Sequence, residues 1–155
     1  MATKKPAKRI KMKHWDDITQ RERITRWEHV VKVLKNLTPH ERRRHWDMGT
    51  WGEKTDCGTV ACAAGHCAMN PWFKRHGLKS EWAKYKNWHT REMETVLEIP
   101  KLHQFFGDWG VEEIFYNIEH RPVGQVIREV KAHIKALRNG EHVEGEHFEG
   151  DEDYV

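Results

Sequence analysis

The sequence predicts a mainly α fold: a single compact domain of two longer helices and several short ones, flanked by charged, flexible tails. Three observations predict it. Apolar residues recur at helical spacing toward each end of the body, over 17–37 and 123–138. Between these stretches, Gly and Pro punctuate the chain at short intervals, leaving room only for short elements. No alternation of apolar and polar residues runs long enough to argue for a sheet.

The first long helix is expected from Asp16 or Asp17 to Leu37. Ile18, Ile24, Trp27, Val30, Val31, Leu34 and Leu37 form one stripe, with acids at its start and Lys32 and Lys35 near its end. Thr38-Pro39-His40-Glu41 matches a capping box with Pro at the first helical position, so a short helix should follow to about Trp46. That helix would carry Arg42, Arg43 and Arg44. Residues 48–53 read as a glycine-punctuated loop. Thr55 or Asp56 can cap a helix over 58–69, ended by Asn70-Pro71, and a helical turn from Trp72 stops at Gly77.

Residues 79–95 are ambiguous. Trp82, Tyr85 and Trp88 are spaced by three, as in a helix, yet their aromatic content also suits a hairpin. Glu92 to Glu98 reads as helical through Met93, Val96 and Leu97. Short helices are expected from Pro100 to Gly107 and from Val111 to Tyr116. The clearest helix runs from Val123 to Arg138 and is closed by Asn139-Gly140.

At 155 residues the chain is one domain's worth, able to bury about two thirds of its unfolded surface. Hydrophobic residues make up 37% and charged residues 33%, so the core is lean, and eight tryptophans help to fill it. The net charge of +3 is unevenly spread. Residues 1–13 form a basic arm with Lys4, Lys5, Lys8, Arg9, Lys11 and Lys13 and no acid. Residues 141–155 form an acidic tail with seven acids and no Lys or Arg, and the body at 14–140 is mildly basic. No run of 18 apolar residues can span a membrane, and Trp15-Asp16-Asp17 interrupts any secretory pattern. A cytoplasmic setting follows as an expectation, with the three cysteines reduced or metal-bound rather than paired.

Chemistry, if present, should centre on 55–68, which holds all three cysteines and a dense run of small residues. Ala61, Ala64, Gly65 and Ala68 would let another backbone approach closely. Cys62 and His66, four residues apart, could share a helical face as two zinc ligands, with Cys57 and a distant histidine (His45, His76 or His89) completing the set. Cys57, placed at a helix N-terminus, could instead be an activated thiol nucleophile. His66 lies too far along such a helix to be its base, so His45, His89 or His103 would have to serve. A Cys57–Cys62 disulfide requires Cys57 to fold back in a turn. The bland alternative is that these thiols pack as small hydrophobes.

Trp46-Asp47-Met48, the segment Asp56-Cys57-Gly58-Thr59-Val60-Ala61-Cys62-Ala63-Ala64-Gly65-His66, Gly77-Leu78, Phe105-Phe106-Gly107 and Ile114-Phe115-Tyr116 together resemble a set of small uncharacterised bacteriophage and bacterial proteins. These carry a Cys-Gly-Thr-x-x-Cys-x-x-Gly segment. The resemblance covers roughly residues 25–137 and implies a cytoplasmic protein of phage or bacterial context, acting in the cell or carried in the virion, with an accessory or structural role. It carries over no catalytic or ligand residue, and Cys67 departs from its pattern.

These features lead to the expectation of a non-enzymatic binding or accessory protein without a cofactor. It would contact a protein partner, slightly preferred, or nucleic acid, through the arm lysines, Arg9, the Arg42–Arg44 triplet and its aromatic-rich body. The alternatives are a thiol enzyme with Cys57 as nucleophile and a zinc-stabilised module on Cys57, Cys62 and His66.

Overall fold

The computed structural model describes residues 10–55, 58–117 and 119–140. Its architecture is α+β, not mainly α: a four-stranded antiparallel sheet is attached to a helical body.

The body is built on α1 (Gln20–Lys35) and a final helix (Val123–Arg138). A single 3₁₀ turn at Trp15–Asp17 precedes α1, and Thr19 caps it through Glu22 N. The two helices pack in antiparallel sense. Gln20 at the start of α1 donates to Leu137 O near the end of the last helix, and Glu28 lies 3.7 Å from Arg138. Between them sits an aromatic core. Trp27 stacks on Phe115 at 5.3 Å, meets Phe106 at 4.9 Å, and donates its indole N–H to Phe106 O. Gly110 lets the chain pass against this ring, since a Cβ there would lie 2.2 Å from Trp27 Cζ2. Two buried arginines tie the loops down. Arg26 donates to Phe105 O and Lys13 O, while Arg121 donates to Ile114 O and Asn117 O and pairs with Glu129. Satisfying carbonyls in this way is what makes such burial tolerable.

The short elements follow their local chemistry. α2 (Pro39–Arg44) carries the complete Thr38/Glu41 capping box. α3 (Ala63–Met69) runs into α4 (Pro71–Arg75), with Asn70 capping the latter and Gly77 turning the chain at φ +94°. α5 (Leu102–Phe106) leads to α6 (Asp108–Gly110) and a π turn at Val111–Phe115; the final helix is α7.

The sheet accounts for the departures from expectation. β1 (Glu53–Thr55) pairs with β2 (Gly58–Val60), and β3 (Glu81–Lys86) with β4 (Met93–Glu98), in the order β2-β1-β4-β3. The helix expected over 58–69 therefore begins five residues later. Gly58 sits at φ +110°, and β-branched Thr59 and Val60 pair with Lys54 and Glu53, leaving Cys62 as the cap of α3. Likewise 93–98, rich in good helix formers, is a strand because β3 and β1 both pair with it. The hairpin is turned at Asn87, whose side chain accepts from His89 N and Thr90 N while its own N–H donates to Glu92 O.

The cysteine segment anchors the sheet. Ala61 N donates to His45 O, Asp47 N to Ala61 O, and Cys62 N to Thr50 O. Gly65 in α3 takes the closest approach: a Cβ there would lie 1.5 Å from Trp51 O. The residues just after Trp51 carry β1, with Gly52 O accepting from Leu97 N of β4. Gly65 thus admits a neighbouring backbone, the role the small-residue pattern predicts at that position. No helix among the described residues is long and apolar enough to cross a membrane.

Candidate functional site

Three places hold the residues singled out from the sequence, and they differ in chemistry. The first is the cysteine segment. Cys62 is buried, and its sulfur accepts from Gly65 N at 3.5 Å. Burial pushes this thiol up to about 12 and raises that of the buried Cys67 as well. His66 stacks on Trp46, and its Nε2–H donates to His45 O at 2.7 Å. A carbonyl only accepts, so this bond fixes the proton on Nε2. Burial lowers the pKa of His66 and keeps the ring neutral. His45 in turn donates from Nδ1 to Thr59 O at 2.7 Å. These rings brace strand β2 and the segment after α2. Among the described residues, no three His, Cys, Asp or Glu side chains are gathered in a way that could hold a metal ion. Cys57 lies outside the described residues. The helix N-terminus assigned to it does not form, because Gly58–Val60 is a strand.

The second place is basic. Lys4, Lys5, Lys8 and Arg9 lie outside the described residues, as does the acidic tail 141–155. Lys11 and Lys13 follow a stretch that docks on α4, where Ile10 N donates to Arg75 O at 2.8 Å. With Arg21, Arg26 and Trp72 they line a cleft of about 370 Å³. Both faces of Trp72 are already covered, by His29 at 3.7 Å and His76 at 3.9 Å, so this ring offers no stacking surface. The arginine triplet divides. All three are exposed, but Arg42 reaches back to Leu37 O and Leu34 O at the end of α1 as a structural cap, which leaves Arg43 and Arg44 as the candidates for contact.

The third place is the β3–β4 hairpin, where sequence reasoning left the chain unassigned. In an antiparallel pair, directly opposed side chains share a face, and neighbours along a strand alternate. The register pairs Trp82 with Leu97, Lys84 with Thr95 and Lys86 with Met93. Lys54 joins this face, because its neighbour Glu53 pairs with Val96 on the other. The contact confirms it: Lys54 Nζ lies 4.8 Å from the Trp82 ring centre. Lys86 Nζ lies 5.5 Å from the ring of Trp88, which is 82% exposed at the hairpin turn. Every lysine of β1, β3 and β4 is therefore on one face. Every glutamate of these strands (Glu53, Glu81, Glu94 and Glu98) is on the other, where Tyr85 donates to Glu98 and Asn87 to Glu94.

No family model, no curated protein and no solved structure matches this chain. The site is thus read from its own geometry. The signal for it was present in the sequence as a two-residue alternation, Trp82-x-Lys84-x-Lys86 against Glu81-x-x-x-Tyr85. It is visible only when charge sign, rather than hydrophobicity, is followed along the strand.

Proposed function

We propose that this chain is a non-enzymatic binding protein of accessory role, with the β3–β4 hairpin as its main contact surface. One observation carries the reading. Three of the six large apolar side chains exposed among the described residues, Trp82, Trp88 and Met93, gather on the lysine face of this hairpin or at its turn, and Tyr85 is exposed on the opposite face. A cluster of that kind on an otherwise highly charged surface marks a contact site. The edge strand β3 adds a row of unpaired backbone groups beside it. The basic arm and exposed Arg43 and Arg44 supply charge that can raise the rate and reach of encounter. The resemblance of the cysteine segment supports a setting in the cytoplasm of a bacterial or phage-infected cell.

The test is recovery of bound material after cross-linking in a cell lysate, comparing the wild type with a Trp88→Ala, Met93→Ser double variant. Both residues are exposed, so the variant should fold. The reading expects a defined protein or nucleic-acid species that is retained by the wild type and lost from the variant. Equal recovery by both chains contradicts it.

A further inference from the structure

The chemistry of the hairpin face identifies its partner: we propose that the Lys54, Trp82, Lys84, Lys86, Trp88 face binds single-stranded nucleic acid. This rests on the reading of the hairpin as the contact surface and names what occupies it.

Charge complementarity is the first argument. The face carries three lysines and no acid, while the four glutamates of the same strands point away from it. A partner that wrapped both faces would meet opposite charges, whereas a polyanion laid along one face meets only lysines. Lys84 and Lys86 lie between Trp82 and Trp88 in sequence, two residues apart on the same side of β3. This spaces their Cα atoms by roughly 7 Å along the strand, so the two lysines leave the backbone as a row rather than a cluster.

The rings are the second argument. Stacking on an aromatic side chain needs an exposed base face, which a single strand offers and a duplex hides. Trp88 is 82% exposed and Trp82 37% exposed, and each has a lysine ammonium over its ring, 5.5 Å from the centroid for Lys86 and 4.8 Å for Lys54. A base stacking on the ring would take the lysine's place over it or use the opposite face, and the lysine on its flexible stem would move to meet the phosphate. An apolar protein partner would use the tryptophans but would desolvate the lysines without pairing them, an unfavourable exchange.

The experiment uses the full chain and a fluorescein-labelled 20-mer of thymidine, followed by anisotropy at 50 and 200 mM salt. Three lysine contacts predict a salt slope of about −2, or roughly a 20-fold loss of affinity between those concentrations. Trp88→Ala should weaken binding roughly 5- to 150-fold, the range of one lost stack. Lys84→Gln with Lys86→Gln should weaken it and flatten the slope by about 1.4. Glu81→Gln, on the opposite face, should leave affinity no weaker. The proposal is overturned if the oligonucleotide fails to bind at 50 mM salt, or if a duplex of equal length binds as tightly. It is also overturned if binding is indifferent to both the Trp88 and the lysine variants, which would assign it to the basic arm alone. If the cross-linked species is a protein that survives nuclease treatment, this inference fails while the hairpin's role as a contact surface stands. If the double variant recovers the same material as the wild type, the broader reading fails too.

Discussion

Cys62 joins strand β2 to helix α3 and is almost fully buried. It follows a glycine-bearing strand and precedes a small-residue helix, and its spacing from His66 makes it a candidate zinc ligand. Instead it is buried as the cap of α3, with its pKa pushed up to about 12. At pH 8 the thiol therefore stays protonated and the thiolate, the nucleophilic form, is suppressed. Cys67, also buried, is raised in the same direction by burial and by Cys62. Native protein treated with iodoacetamide at pH 8 should therefore leave Cys62 and Cys67 unmodified by peptide mass mapping, and denaturant should expose both to rapid alkylation. Appreciable labelling of either in the native state would contradict the packing assigned to them. His66 belongs to the same unit. Neutral and donating to His45 O, it acts as a brace between α3 and the segment after α2.

At the scale of elements, the sheet depends on one close approach. Gly65 lets α3 meet the backbone at Trp51, and the strand that follows carries the pairing on to β4 and β3. Gly65→Ala would place a methyl group inside Trp51 O, a backbone atom that cannot rotate away. This should destabilise the fold by about 3 kcal/mol, seen as a Tm roughly 6–12 °C lower. A variant melting within about 2 °C of the wild type would show that the contact does not hold the sheet to the body.

The helices were largely legible because their signals are local. The Thr38/Glu41 capping box, Asn70-Pro71 and the apolar stripe of 123–138 each act within a turn or two, and α2, α4 and α7 lie where those signals put them. The strands were not legible because their cause is distant. Met93-Glu94-Thr95-Val96-Leu97-Glu98 has good helix formers, and only pairing with residues 81–86 and 53 makes it a strand. The same holds for 58–60, read as the start of a helix but held in β2 by residues 53–55. Of the candidate site, the small-residue packing at Gly65 was visible in advance. The face of lysines and tryptophans was only half visible: the alternation Trp82-x-Lys84-x-Lys86 lies in the sequence, but only the register brings Lys54 to Trp82.

Over the whole molecule, charge is sorted at two levels. The sequence separates a basic arm from an acidic tail. The sheet repeats the separation across its thickness, with lysines on one side and glutamates on the other. Two basic surfaces therefore compete for the contact role: the arm, continued by Lys11 and Lys13 beside α4, and the hairpin. They differ in one physical respect. Trp72 near the arm is sandwiched between two histidines, while Trp88 on the hairpin is open to solvent. An arm acting alone would give a binder driven by charge and indifferent to ring removal. The hairpin adds stacking to charge.

Hydrogen–deuterium exchange of the full chain, with and without the 20-mer of thymidine at 50 mM salt, separates the two most directly. The account predicts slowed exchange across residues 81–98 on binding, with the turn around Trp88 included. Protection confined to residues 1–13, with 81–98 unchanged, would contradict it.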